Sequence, residues 1–311
     1  MKRYNIPYIL FRKIDRLINQ LHRYDYPDKN DSWEKKGRVY GDLNSGTMFD
    51  PYVLYDGSFF KMLVSERKTG NLILVDSKNG FDWSNKINVL SGIDGAWDSV
   101  VNRGCLLHND GIWHLWYTGQ NNHISSIGYA ISHDGKLYKR KEIPVVSATL
   151  SFEGVSVMNP CVLWDCKNNK YRMWYSAGEN YEPDVICYAE SVDGINWTKY
   201  TAPVLELDKS RKWEQYKVGG CFVTVDDDGV YTLYYIGYQN VDVARICYAT
   251  SKDGINWVRD DNNLILSPTK GAWDSDAVYK PSILQCEGKL YLWYNGRKGK
   301  EEYIGLATKR L

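Results

Sequence analysis

An all-β fold built from repeated units follows from three observations. A seven-residue phrase, Ser-x-Asp-Gly-Ile-Asn-Trp, occurs whole at 191–197 and 251–257. Degenerate copies stand at 77–83 and 132–138, and a worn copy survives as Asp31-Ser32-Trp33. Around these phrases, alternating β-branched and aromatic runs are bounded by Asp-Gly and Asn-Asn turns, which are strand and hairpin signals. The phrase returns about every 50–60 residues with four short strands between copies, the period of a propeller blade. The prediction is a five-bladed β-propeller over 31–311, with a short helical extension over 1–30.

In the extension, Leu10, Ile14, Leu17, Ile18 and Leu21 keep helical spacing until Pro27. A helix packed across the propeller is expected, with peripheral contact to a membrane or partner through its basic face as the alternative. Blade one opens at Phe49-Asp50-Pro51-Tyr52 and ends at Trp83. Blade two opens at Asn102-Arg103-Gly104-Cys105 and blade three at Met158-Asn159-Pro160-Cys161. Blade four opens at Val218-Gly219-Gly220-Cys221 and blade five at Tyr279-Lys280-Pro281-Ser282. Blade five stops at Ile304-Gly305-Leu306-Ala307-Thr308, one strand short. The segment from Trp33 to Tyr40 supplies that strand, so the N-terminus closes the ring and removes an exposed edge.

Composition narrows the function classes. The 311 residues carry a formal net charge of +1, which argues against a nucleic-acid footprint. No apolar stretch reaches transmembrane length, and the start lacks a secretory pattern. Of the seven cysteines, Cys105, Cys161 and Cys221 share one strand position and Cys187 and Cys247 another. Such placement reads as small buried side chains rather than a disulfide framework or a metal site. A cytoplasmic protein without metal or cofactor is expected.

The repeat separates scaffold from chemistry. Trp97-Asp98, Phe152-Glu153, Trp213-Glu214 and Trp273-Asp274 precede four inner strands at similar distances. A pair recurring in four blades reads as structural, although Glu153 and Glu214, with the longer side chains, remain candidates for recruitment as proton donors. The residue opening each inner strand behaves otherwise. It is Asp50, Arg103, Asn159, Gly219 and Lys280 in turn, each just before a Pro or Gly. Asymmetry inside a symmetric frame, at one end of the channel, is what a ligand site requires. The competing reading is a filled channel in which Asp50, Arg103 and Lys280 pair with one another. A second tier follows the second strands, where Arg67, Glu179 and Arg297 stand. Arg67, Arg103, Lys280 and Arg297 together suit phosphate or carboxylate.

The Phe49-Asp50-Pro51 opening and second strands such as Tyr171-Arg172-Met173-Trp174-Tyr175 resemble the furanosidase-type glycoside hydrolases. These are the arabinofuranosidase and xylosidase (family 43) and invertase (family 32) groups, with the related mannoside phosphorylases (family 130). The resemblance covers about residues 33–311. It implies that Asp50 is a catalytic base or nucleophile, with a second carboxylate and an acid Glu elsewhere. The chain departs from the hydrolase pattern. Asn159 stands where family 43 places an Asp, Val218 where the acid Glu belongs, and Asn102-Arg103-Gly104 where family 32 has Arg-Asp-Pro. Glu153, Glu179, Glu214 and Asp276 are the loop acids left for proton donation. One carboxylate with a cationic cradle suits a phosphorylase better than a two-carboxylate hydrolase.

The expected function is a carbohydrate-active enzyme that cleaves or transfers a glycosyl unit at the channel mouth. The catalytic set is Asp50 with Glu153, Glu214 or Asp276. The binding set is Arg67, Arg103, Asn159, Glu179, Lys280 and Arg297. Its partner is a carbohydrate or sugar phosphate. The alternatives are a phosphorylase or transferase using a sugar-phosphate donor, and a non-catalytic carbohydrate-binding propeller.

Overall fold

The computed structural model describes residues 32–41, 47–178 and 183–311. The expected N-terminal helix over 1–30 lies outside the described residues. Among those residues, the single helical piece is a one-turn 3-10 segment, Ser151–Glu153. Everything else that is regular is strand.

The first strand is β1 (Glu34–Tyr40). A four-stranded antiparallel sheet follows, from β2 (Met48–Tyr55), β3 (Phe60–Glu66), β4 (Asn71–Ser77) and β5 (Ser84–Leu90). The next contains β6 (Val100–Asn109), β7 (Ile112–Asn121), β8 (Ile124–Ser132) and β9 (Lys139–Arg140). A third contains β10 (Ser156–Asp165), β11 (Lys170–Gly178), β12 (Val185–Ser191) and β13 (Thr198–Lys199). The remaining strands are β14 (Lys217–Val225), β15 (Tyr231–Tyr238), β16 (Ala244–Ser251), β17 (Leu264–Leu266), β18 (Ala277–Cys286), β19 (Lys289–Lys298) and β20 (Glu301–Arg310). They form one eight-stranded sheet with β1 at its edge. A single parallel bridge, Ala244 to Ala277, joins its two antiparallel halves.

The inner strands β2, β6, β10, β14 and β18 each touch the next, and β18 returns to β2. The sheets thus stand around an axis in a propeller-like arrangement. As the sequence predicts, β1 pairs antiparallel with β20, from Glu34 opposite Thr308 to Tyr40 opposite Ile304. The chain start therefore covers the edge that β20 would otherwise leave open.

The repeated phrase is the joint between sheets. In 191–197, the Ser191 hydroxyl donates to Asp193 and accepts the Gly194 amide, and Asp193 accepts the amides of Ile195 and Asn196. This Asx-type turn holds Gly194 at φ +73°. Its carbonyl then accepts the Trp116 indole of the preceding sheet at 2.9 Å. A Cβ on Gly194 would sit 2.9 Å from that indole ring, so glycine permits the approach. Trp174 to Gly254 and Trp293 to Gly80 repeat the joint at 2.7 and 2.9 Å. Trp116, Trp174 and Trp293 are fully buried between sheets, which places the apolar core at the sheet interfaces.

Candidate active site

Every inner strand slips its register at the same place. The slips fall between Phe49 and Tyr52, Asn102 and Cys105, Met158 and Cys161, Gly219 and Phe222, and Tyr279 and Ser282. One residue inside each slip adopts a left-handed backbone: Asp50 (φ 56°), Arg103 (52°), Asn159 (57°), Gly220 (59°) and Lys280 (50°). For the four non-glycine residues this conformation costs about 1 kcal/mol or more each. A bulge of this kind re-aims a side chain, and such strain clusters at functional sites. The sequence reading put Gly219 at the fourth station. The register moves that station to Gly220, because Gly219 pairs with Ile236 as Phe49 pairs with Ser65.

Four bulges are fixed from the neighbouring second strand. Asn295 accepts the Asp50 amide at 2.6 Å, Ser65 that of Arg103 at 2.9 Å, and Thr118 that of Asn159 at 3.0 Å. Ser176 accepts the Gly220 amide at 2.8 Å. All four side-chain acceptors are buried. Farther along the inner strands, the Tyr52 and Phe222 rings meet with centroids 5.5 Å apart. They carry the apolar core across the axis.

Asp50 is 4% exposed. Its Oδ2 has no hydrogen-bond partner among the described residues and lies 3.5 Å from Arg103 Nε. Burial pushes its carboxyl above the ordinary range, against the pull of Arg103 and Lys280. Glu302 adds to the rise and Arg67 opposes it. Lys280 is buried too, and among the described residues it forms no ion pair. Asp50 and Arg103 thus form the ion pair that the filled-channel arrangement expects, while Lys280 stands outside it. Asn159 Oδ1 and Asn295 Nδ2 are likewise buried without partners.

The outer cations are held by acids. Arg67 lies 4.4 Å over the Phe49 ring and pairs with Glu302 at 2.8 Å. Glu302 also accepts the Tyr279 hydroxyl at 2.5 Å. Arg297 is bound to Asp242, through its carbonyl at 2.5 Å and its carboxylate at 3.6 Å. Asp276 accepts the Gly299 amide at 2.7 Å and so shapes the turn between β19 and β20. Glu179 lies outside the described residues.

Glu153 and Glu214 belong to a repeated pin. Asp98, Glu153 and Asp274 accept hydroxyls from Tyr117, Tyr175 and Tyr294 at 2.8, 2.7 and 3.2 Å. Glu214 accepts the Tyr235 hydroxyl in the same way. Each also meets a cation: Arg140 at 2.6 Å, Lys199 at 2.7 Å, Lys35 at 2.6 Å and Arg259 at 3.0 Å. Both glutamates are fully buried. Their oxygens bond loop amides besides, at Thr149 and Leu150 for Glu153 and at Asp208 for Glu214.

Sequence reasoning brought Asp50, Arg103, Asn159 and Lys280 to equivalent stations. It did not single out Glu302, Tyr279 or Asn102. Asn295 carried a signal, since it takes the register position of Ser65, Thr118 and Ser176 with a different residue. A shallow surface groove lined by Lys141, Pro144, Val145 and Trp197 lies at the outer strands β9 and β13, away from the bulges. We place the candidate site at the bulges because Asp50, Asn102, Asn159 and Asn295, with four of the buried polar atoms that lack a hydrogen-bond partner, gather there beside Arg103 and Lys280. Among the described residues, no group of three or more His, Cys, Asp or Glu could hold a metal ion, and no helix is long and apolar enough to cross a membrane.

Comparison with known proteins agrees with this geometry. A solved glycoside hydrolase superposes with a TM-score of 0.76 over 96% of both chains at 19% identity. A thermostable family-43 glycoside hydrolase follows with 0.66 over 83% of this chain and 88% of the other, also at 19% identity. The chain has the fold of the glycoside hydrolase propellers. By sequence, it is 28% identical over 305 residues to an uncharacterised protein of Mycobacterium tuberculosis, covering 89% of this chain and 99% of that one. A 1,2-beta-oligomannan phosphorylase of Thermoanaerobacter sp. is 24% identical over 205 residues, 63% of this chain and 64% of the phosphorylase. No family model matches the chain. The comparisons thus show a glycoside hydrolase-like fold and a partial sequence likeness to a phosphorylase.

Proposed function

We propose that this chain is a five-bladed propeller enzyme that transfers a glycosyl unit between a glycan and phosphate at the ring of bulges. The observation carrying the proposal is the Asp50 station: one buried carboxyl with an open oxygen, 3.5 Å from Arg103 and within the field of Lys280. Hydrolysis needs two carboxyl groups, one to protonate the leaving oxygen and one to activate water or attack the sugar. Phosphate is already an anionic nucleophile, so phosphorolysis needs one acid and a cationic cradle. The bulge stations carry one acid, two cations, one amide and a glycine.

In this mechanism a phosphate oxygen attacks the anomeric carbon while the glycosidic C–O bond breaks. Asp50 gives its proton to the departing oxygen, and its raised proton affinity suits that role. Arg103 and Lys280 hold the phosphate, and Arg67 stands behind them. Asn159 contacts the sugar. This reading assigns Glu153 and Glu214 to the structural pins and Asp276 to its turn. The likeness to a 1,2-beta-oligomannan phosphorylase and to a beta-1,2-mannobiose phosphorylase supports it and suggests mannosides as first substrates.

The test is incubation with β-1,2-mannobiose and inorganic phosphate, reading mannose 1-phosphate. Phosphate-dependent product that falls about 100-fold or more in Asp50→Asn is expected. Release of free mannose at the same rate without phosphate would overturn phosphorolysis in favour of hydrolysis.

A further inference from the structure

The residue just before each bulge is Phe49, Asn102, Met158, Gly219 and Tyr279 in turn. Met158 shows where such a side chain reaches, since its Sδ lies 3.7 Å from Arg103, the bulge residue of the preceding sheet. Asn102 holds the corresponding position in its own sheet, next in sequence to Arg103, which reaches Asp50 at 3.5 Å. Asn102 is 3% exposed, and the oxygen of its amide has no partner among the described residues. The other end is clamped. Asn102 Nδ2 donates to Gln120 Oε1 at 2.6 Å, and Gln120 Nε2 donates to Ser125 Oγ at 3.0 Å. Ser125 is itself buried, and its amide donates to Ser156 Oγ at 3.0 Å.

This relay has no counterpart at the other bulges. At Gln120's register position those sheets carry Arg67, Gly178, Tyr238 and Arg297. Tyr279, the other polar residue in Asn102's position, spends its hydroxyl on Glu302. Burying an amide with an open hydrogen-bonding end costs about 1–3 kcal/mol unless a ligand or water meets it. Two residues that hold that end rigid make sense only if its direction matters.

We propose that Asn102 is a specificity-determining residue whose open amide end binds a hydroxyl of a neutral sugar ring beside Asp50, with Gln120 and Ser125 as its positioning residues. The inference rests on the proposed carbohydrate site and divides it. An uncharged amide wall on β6 and β7 takes the sugar, and the cations Arg103 and Lys280 take the anion. A neutral hydroxyl pairs with an amide without the desolvation cost of meeting a charge. A phosphate gains nothing from this wall. The two ligands are therefore separable by mutation.

The experiment measures binding of mannose and, separately, of inorganic phosphate by calorimetry, for wild type, Asn102→Ala and Gln120→Leu. Mannose affinity is expected to fall about 10-fold in both variants, with phosphate affinity within about two-fold of wild type. Unchanged mannose affinity in both variants overturns the role of Asn102 and leaves the proposed function standing. Loss of both ligands together overturns the division into two walls. Wild type binding neither ligand overturns the proposed function, and this inference with it. Should Asn102→Ala fail to melt cooperatively, Ser125→Ala takes its place. It removes the last link of the relay at small volume cost and carries the same expectation and the same overturning result.

Discussion

The indole nitrogen of Trp293 donates to the carbonyl oxygen of Gly80 at 2.9 Å, across 213 residues of sequence. The bond ties β19, near the end of the chain, to the turn after β4 near its start. It therefore joins the last sheet to the first. Equivalent bonds join Trp116 to Gly194 and Trp174 to Gly254. At the two remaining junctions the tryptophan position holds Leu63 and Tyr234. At ring closure the Trp293 bond is joined by those from the Asp50 amide to Asn295 and from the Val53 amide to Ser282, while its flanking junctions lack a bond of the indole kind.

Trp293→Phe should lower unfolding free energy by about 2–3 kcal/mol. It leaves a buried carbonyl unpaired and opens a cavity in a fully packed site. Denaturant melts of Trp293→Phe beside Trp174→Phe check this. A change below about 0.5 kcal/mol in both would show that the joint is incidental.

The acid pins predict a separation of stability from chemistry. Burial raises the Glu153 carboxyl, but bonds from Lys199, Thr149, Tyr175 and Leu150 outweigh it, and the net effect holds it below its ordinary value of 4.5. A carboxyl with a lowered folded pKa stabilises the protein above the ordinary value, and that contribution fades as pH falls through the folded value. Glu153→Gln should cost about 3 kcal/mol at neutral pH, since Lys199 loses its partner in a mostly buried place. The gap to wild type should narrow in acid. Turnover per folded molecule should stay within a few-fold of wild type at neutral pH. A folded Glu153→Gln that is catalytically dead would move this residue into the chemistry.

Much of this was legible in the sequence, for a reason that also sets the limit. Residues repeated between blades announce themselves, so the acid pins were legible in the aromatic-acid pairs and the closing strand β1 in Trp33-to-Tyr40, whereas the indole-to-glycine joints appear only in the structure. The bulge stations were legible as the varied residue just before a recurring Pro or Gly. Blade four escaped by one residue, because two adjacent glycines, Gly219 and Gly220, leave no side chain to fix the alignment. Glu302 and Asn102 were invisible for the opposite reason. Each matters through a partner distant in sequence or unique to one sheet, Glu302 through Arg67 and Tyr279, and Asn102 through Gln120. Periodicity cannot reveal contacts that occur once.

The buried carboxyl of Asp50 predicts a pH dependence of the opposite sign. Its folded pKa is raised above the ordinary 3.8, first by burial and against Arg103 and Lys280. The native state therefore holds this proton more tightly than the unfolded chain. Asp50's contribution to stability is greatest below about pH 4 and is lost as pH rises to its folded value. Asp50→Asn removes that loss. Relative to wild type, the variant should gain stability as pH rises from about 4 towards neutrality, while turnover disappears. Thermal melts of both proteins across that range check this. A constant difference at every pH would mean that Asp50 ionises as readily folded as unfolded.

The cations at the neighbouring stations predict where anion affinity resides. Inorganic phosphate that binds only the folded state raises the melting temperature in proportion to the logarithm of its concentration over Kd. Phosphate should stabilise the wild type, and the shift should vanish in Arg103→Ala and in Lys280→Ala. Both side chains are largely buried and neither is saturated, since Arg103 reaches Asp50 at 3.5 Å and Lys280 has no ion pair among the described residues. Arg297→Ala should keep most of the shift, because that guanidinium is already committed to Asp242. The contrast decides which cations form the cradle. Equal loss in all three variants would indicate a diffuse electrostatic effect of the whole face. In that case the shift should also decay with added salt as exposed charges do, whereas a site built from the half-buried Arg103 and the buried Lys280 should hold more of it.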